Sequence, residues 1–132
     1  LTLDDQSRKS LIEHRMAKAG ETVRQVEFLI QNNMMGIAVN RIYYGMFYAL
    51  SALGLKYQFV TSKHGQLIGW FNKNFVKNKL VNLKFGRFIR DAFDSRSAGD
   101  YDDYIEFTTD EVMALFQEMK EFIHEMDKLI NR

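Results

Sequence analysis

The sequence predicts an all-α protein, an up-and-down bundle of about five helices. Three observations carry that expectation. The 132 residues contain no proline, the residue that disrupts helix interiors and punctuates loops, so long helices joined by short links are favoured. Apolar residues recur in steps of three and four in several segments, and no segment offers a comparable strand alternation. Finally, the stretch from Ile37 to Leu53 is apolar nearly all round, as a helix with neighbours on most sides must be. With 46% apolar residues, including eleven Phe, six Tyr and seven Met, the chain can enclose a real core as one domain over residues 1–132.

The first helix is expected from about Asp4 to Asn32, on the stripe Met16, Ala19, Val23, Val26 and Ile30, with Asp4 and Asp5 suiting its N-terminus. Asn32, Asn33 and Gly36 mark a break. The central helix follows, from Gly36 to Gly54, with Gly54 expected as its left-handed C-terminal residue. After a loop through Lys56–Val60, Ser62 is expected to cap a third helix with the face His64, Leu67, Ile68, Phe71 and Phe75. Asn74 to Asn82 reads as a polar, basic turn region. The fourth helix carries Phe85, Phe88, Ile89, Ala92, Phe93 and Arg96 on one stripe, and Ser97 to Tyr104 is expected to be irregular. Thr108-Thr-Asp-Glu111 has the capping-box pattern and opens a strongly amphipathic fifth helix running to Ile130.

Composition excludes several function classes. Without cysteine there is no disulfide scaffold, no cysteine-based zinc site and no thiol nucleophile. His14, His64 and His124 are too scattered for a metal-ligand motif, and neither a Gly-rich phosphate loop nor a serine-nucleophile motif occurs. No metal and no cofactor are therefore expected. The start, Leu1-Thr-Leu-Asp-Asp5, lacks the order of a signal peptide. Arg41 interrupts the longest apolar run, which argues for a buried soluble helix rather than a membrane span. A cytoplasmic protein is expected. Charge is uneven: Phe28 to Arg90 holds nine Lys and Arg with no acid, whereas Asp91 onward holds twelve acids against four cations. The two regions can neutralise each other within the fold or across a dimer, or they can form a basic face for phosphate and an acidic face for another partner.

Candidate chemistry lies where polar groups fall on faces that should be buried. Arg41 sits on the central helix beside Tyr43, Tyr44, Phe47 and Tyr48. A buried guanidinium needs a partner, so it is either bonded to Asp91, Asp94 or tyrosine hydroxyls, or it contacts a ligand together with Tyr44. His64, after Lys63, is either a satisfied core histidine or a catalytic or ligand-binding group. Arg96 projects from the fourth helix just before Gly99, Asp100 and Tyr101. It either clamps the loop to the bundle or binds a phosphate while a neighbour moves a proton.

Three stretches, Ala38-Val-Asn-Arg-Ile-Tyr-Tyr-Gly-Met-Phe-Tyr-Ala49, Ser62-Lys-His-Gly65 with Phe71, and Arg90 to Tyr101, stand in order ahead of an amphipathic helix. Together they resemble the HEPN family, in its bacterial stand-alone branch. The resemblance implies a helical domain linked to nucleotides or RNA, often a homodimer, within toxin–antitoxin or nucleotidyltransferase-linked systems. It also implies a metal-independent ribonuclease mechanism in many members, with an arginine followed four to six residues later by a histidine. The arginine maps to Arg96, but the histidine window holds Asp100, Tyr101 and Asp102. That departure favours binding of nucleotide or RNA over catalysis, or a protein-interaction module. If catalysis occurs, His64 or Tyr101 must move the proton. Arg41, Tyr44, Lys63 and Asp100 are the expected ligand contacts.

Overall fold

The computed structural model describes residues 3–132. Five helices form, α1 (Asp5–Gln31), α2 (Met35–Lys56), α3 (His64–Phe71), α4 (Leu83–Tyr101) and α5 (Thr109–Ile130), and no strand occurs among the described residues. α1 and α2 make a long antiparallel hairpin, as the pairings of Lys18 with Tyr48, Thr22 with Gly45 and Phe28 with Ile37 show. α5 runs parallel to α2, with Met119 against Gly45 and the C-terminal end of α5 against Lys56, whose Nζ donates to the Leu129 and Ile130 carbonyls. α4 runs antiparallel to α5, with Lys84 paired to Glu121 and Arg87 and Asp91 beside Glu118. The four long helices therefore alternate in direction, and the short α3 lies in the connection between α2 and α4.

The bundle closes around α2. Ala38, Val39, Ile42, Tyr43, Met46, Ala49, Leu50 and Leu53 are buried together with Phe71, Ile89, Met119, Phe122 and Met126. Gly45 is where three helices meet: a Cβ there would overlap the tip of Met119 and lie 3.2 Å from Thr22 Cγ2. Only a residue without a side chain allows α1 and α5 to approach α2 so closely.

Several boundaries differ from the sequence expectation. α2 continues past Gly54 to Lys56, and the left-handed residue is Gln58, at φ 60°. Gly54 is needed for another reason, since a Cβ would come within 2.7 Å of the Phe59 carbonyl oxygen. The N-cap of α3 is Lys63, not Ser62, and Thr61 Oγ1 accepts from the Lys63 N–H at 3.1 Å. α3 then widens into a π-helical turn, Asn72–Val76, against which Gly86 of α4 packs. Ser97–Tyr101 is helical rather than irregular, and the irregular stretch begins at Asp102. Phe107 folds back onto Gly99, and Arg96 pairs with Asp100 across one turn; these contacts stabilise a turn whose Ser, Gly and Asp content disfavours helix. The cap of α5 is as expected, with Thr108 Oγ1 accepting from the Glu111 N–H at 3.1 Å.

Candidate phosphate-binding cluster

α2, α3 and α4 bring four side chains of interest to one place. Tyr43 and Tyr44, successive on α2, meet His64 from the start of α3 and Arg96 from the last turns of α4. The Tyr43 hydroxyl lies 2.6 Å from His64 Nδ1. The His64 ring stacks on Phe47, with centroids 3.9 Å apart. Arg96 Nη2 donates to the Tyr44 hydroxyl at 3.2 Å, and its guanidinium carbon lies 5.6 Å and 5.4 Å from the centres of the Tyr43 and Tyr44 rings. The same two rings lie 5.6 Å and 5.9 Å from His64. Arg96 and His64 therefore share one aromatic wall.

The environment sets the protonation states. Burial pushes the Tyr43 phenol well above its usual value, opposed by the positive charge of Arg96, so Tyr43 keeps its proton. Burial also lowers the His64 pKa, and Arg96 lowers it further, so the imidazole is neutral at pH 7. The only described partner of the fully buried Tyr43 hydroxyl is His64 Nδ1. A buried hydroxyl proton needs an acceptor, so Tyr43 donates to Nδ1 and His64 carries its own proton on Nε2. His64 thus offers a hydrogen-bond donor.

Arg96 keeps donors to spare. Its Nε is 2.9 Å from Asp100 Oδ2, but the N–H is not aligned with that oxygen, leaving an ion pair and a buried Nε without a hydrogen-bond acceptor. A guanidinium has five N–H groups, and one described hydrogen bond, to Tyr44, uses a single one. An arginine fixed by stacking with unused donors is suited to a phosphate or carboxylate.

The other expected site residues fall at varied distances from this centre. Arg41 stacks on Tyr44 at 5.6 Å and reaches the Tyr48 hydroxyl at 3.4 Å. It pairs with tyrosines, and neither Asp91 nor Asp94 forms a described ion pair with it. Lys63 is exposed immediately before His64. Tyr101, by contrast, is the last residue of α4 and is 87% exposed, with no described contact to the cluster. Tyr43 and Phe47, which hold His64, are functional candidates that residue-by-residue reading missed. Their signal was a tyrosine on the most deeply buried face of an apolar helix, a hydroxyl in need of a partner.

Of the described salt bridges, Lys84–Glu121 alone joins the basic stretch to the acidic one. The cations at Lys73, Lys77, Lys79, Arg87 and Arg90 remain exposed. No group of three His, Asp or Glu side chains suited to a metal occurs among the described residues. No described helix is long and apolar enough to cross a membrane.

These features define a helical bundle with an arginine–tyrosine–histidine cluster at the junction of three helices. Comparison with known proteins agrees: the HEPN domain model matches residues 12–129, and the chain belongs to the HEPN family. It is 35% identical over 123 residues to a protein of Thermotoga maritima named "UPF0332 protein", covering 93% of each chain. A Methanocaldococcus jannaschii protein named "Putative toxin" is 30% identical over 122 residues, covering 92% of this chain and 83% of the relative. A second protein of that organism with the same designation is 28% identical over 114 residues, covering 86% and 79%.

Proposed function

We propose that the protein binds the phosphate of RNA or of a nucleotide at the Arg96–Tyr44–His64 cluster, as the HEPN component of a toxin–antitoxin or nucleotidyltransferase-linked system. The observation that carries this reading is the state of Arg96. It is held between two aromatic rings and a carboxylate, with N–H donors unused and a neutral histidine donor on the same wall. The relatives named as toxins support the toxin–antitoxin setting. A small nucleotidyltransferase is the partner that the family resemblance implies, and copurification of the two proteins after coexpression tests it.

The direct test is a titration of the chain with a short mixed-sequence RNA and with ATP, comparing wild type with Arg96→Ala. Charge-assisted hydrogen bonds contribute about 1.5–3 kcal/mol, so a loss of roughly tenfold or more in affinity is expected. Unchanged affinity in a folded Arg96→Ala protein removes the assignment.

A homodimer belongs to this reading. Phe28 and Ile37, 61% and 50% exposed, line a groove with Glu21, Arg24 and Arg41. Apolar centre and mixed charges make that face self-complementary, which suits a second copy of the chain. Arg41 belongs both to this groove and to the Tyr44–Tyr48 contact, so pairing there would border the cluster. Light scattering on wild type and Phe28→Asp tests it: a dimer that becomes a monomer is expected, and a wild-type monomer at high concentration rejects it.

One observation favours a second reading, a metal-independent ribonuclease. His64 is brought to Arg96 from α3, supplying a histidine that the stretch after Arg96 lacks. As a base, however, His64 would need its proton moved from Nε2 to Nδ1, where Tyr43 now donates. The binding reading is therefore preferred. RNA cleavage in EDTA, lost in both Arg96→Ala and His64→Gln, would reverse that preference.

A further inference from the structure

The outward side of α3 carries a pattern that the cluster does not use. Lys63, Gln66, Trp70, Lys73 and Lys77 follow in steps of three and four along the continuous run of α3 and the π-helical turn, and so share one side of it. The three lysines are exposed and none is in a described salt bridge. Acids are absent from the entire stretch Phe28 to Arg90. The run from residue 63 to residue 77 extends roughly 20 Å.

Aromatic rings lie against this basic stripe. Phe59 stacks on Trp70 at 5.2 Å with their planes 10° apart, and Tyr57 lies 6.3 Å from Trp70. Phe75 meets Tyr57 and Trp70 edge-on, at 5.5 Å and 5.4 Å, from the core side. Tyr57 is 49% exposed, and Val60 beside this group is 68% exposed. The ring of Tyr57 is thus braced by Phe75 and half-exposed, with the Lys56 ammonium 5.7 Å from its centre. The π-helical turn lies within the stripe, and Asn74 Nδ2 donates to the Trp70 carbonyl at 2.9 Å; such turns are rare and recur at functional sites.

We propose that this stripe is a binding track for single-stranded nucleic acid, with Lys63, Lys73 and Lys77 taking phosphates and Tyr57 taking a base. Positive charge without acids selects a polyanion. An exposed ring beside the charge selects a polyanion that presents flat aromatic faces, which a single strand does and a stacked duplex does not. An acidic polypeptide would satisfy the lysines and leave the ring unused. Lys63 directly precedes His64, so the track ends at the cluster. The nucleic-acid reading of the cluster supplies that direction only; binding along the stripe stands on its own residues.

Trp70 is the single tryptophan of the chain and reports on the stripe without a label. The full chain is titrated with a short oligoadenylate RNA, with the same strand in a duplex, and with poly-glutamate, while tryptophan fluorescence is followed. The single strand is expected to quench Trp70, and the other two are expected to bind at least several-fold more weakly. Tyr57→Ala should weaken single-strand binding about tenfold, the scale of one lost base–aromatic stack. Lys73→Glu with Lys77→Glu should weaken it at least as much and flatten the salt dependence, and both positions are exposed, so folding is preserved. Arg96→Ala should leave the quench in place even if it abolishes binding at the cluster. Equal binding of the duplex, tighter binding of poly-glutamate, or full affinity in the double lysine variant would each overturn the track. A quench lost in Arg96→Ala alone would assign the binding to the cluster and overturn it as well.

Discussion

Tyr43→Phe removes one oxygen from a ring that is completely buried, and it tests how His64 is held. The ring and its packing on Phe93 and Tyr44 stay the same, so no cavity opens. What is lost is the 2.6 Å hydrogen bond to His64 Nδ1. A typical hydrogen bond contributes about 0.5–1.5 kcal/mol, and stranding a buried partner adds about 1–3 kcal/mol. His64 is only half-buried, so water relieves part of the second cost and a net loss of about 1–2 kcal/mol is expected. For a chain of this size that corresponds to a fall in Tm of roughly 3–8 °C. Urea denaturation with an unchanged m-value measures it. Nitrogen NMR of the imidazole reads the tautomer: wild-type His64 should carry its proton on Nε2, and Tyr43→Phe should release that preference. A variant as stable as wild type, with the same tautomer, would show that Tyr43 neither supports nor orients His64.

Three further outcomes are expected. Asp100→Asn removes the carboxylate 2.9 Å from Arg96 Nε, and because that charge competes with any phosphate, RNA affinity should rise a few-fold, on the order of 1 kcal/mol; a fall would mean that Asp100 orients the guanidinium instead. Gly45→Ala forces a methyl against Met119 and Thr22, both buried, and should cost about 1–3 kcal/mol in thermal or urea unfolding, whereas Gly20→Ala, with open space around it, should stabilise by roughly 0.5–1 kcal/mol; the reverse order would contradict the close approach of α1, α2 and α5. For pH, the folded chain holds the His64 pKa below its usual value. Both states are neutral well above pH 6.5 and the contribution to stability is then complete; as pH falls below 6.5 the unfolded chain takes up its proton first and stability declines until the folded-state value is passed. Glu118, raised by burial and by Asp91, works the other way, losing stability as pH rises through its folded-state value. The difference between wild type and His64→Gln in urea denaturation across pH 5 to pH 7 isolates the histidine, and identical pH profiles would refute its assignment.

How much of this was legible in the sequence depends on how local each cause is. α2 could be read because burial on every side leaves a helix apolar all round, and the start of α5 because a cap is a contact between residues three apart. Arg96 could be placed on the inner stripe of α4 by periodicity alone. The meeting of Tyr43 with His64 could not, because it spans a chain reversal and depends on how α3 folds back onto α2. The π-helical turn was equally hidden: it fits the bare surface of Gly86, a residue on another helix. The last turn of α4 departs from the sequence expectation because its Ser, Gly and Asp residues oppose helix locally, while the contacts that offset them come from Phe107 and from Arg96. The surroundings of Tyr101 depend on the same turn. As part of a loop it could have turned inward, but as the end of a helix it faces solvent.

The position of His64 bears on what the cluster can do. A histidine following an arginine on the same segment would be free to present either ring nitrogen to a bound phosphodiester. Here the imidazole arrives from α3, stacked on Phe47 and fixed through Nδ1 by a phenol that burial keeps protonated. A ring held in that way gives a well-placed donor at Nε2 and loses the freedom to accept a proton there. Arg96 shows the same bias, since two rings, a hydroxyl and a carboxylate restrain it without using all of its donors. Rigid donors facing one wall favour holding a phosphate over moving a proton. If Tyr43→Phe were to raise RNA cleavage while lowering stability, the phenol would be the element that restrains a ribonuclease-like site, and the proposed binding role would give way to the catalytic one.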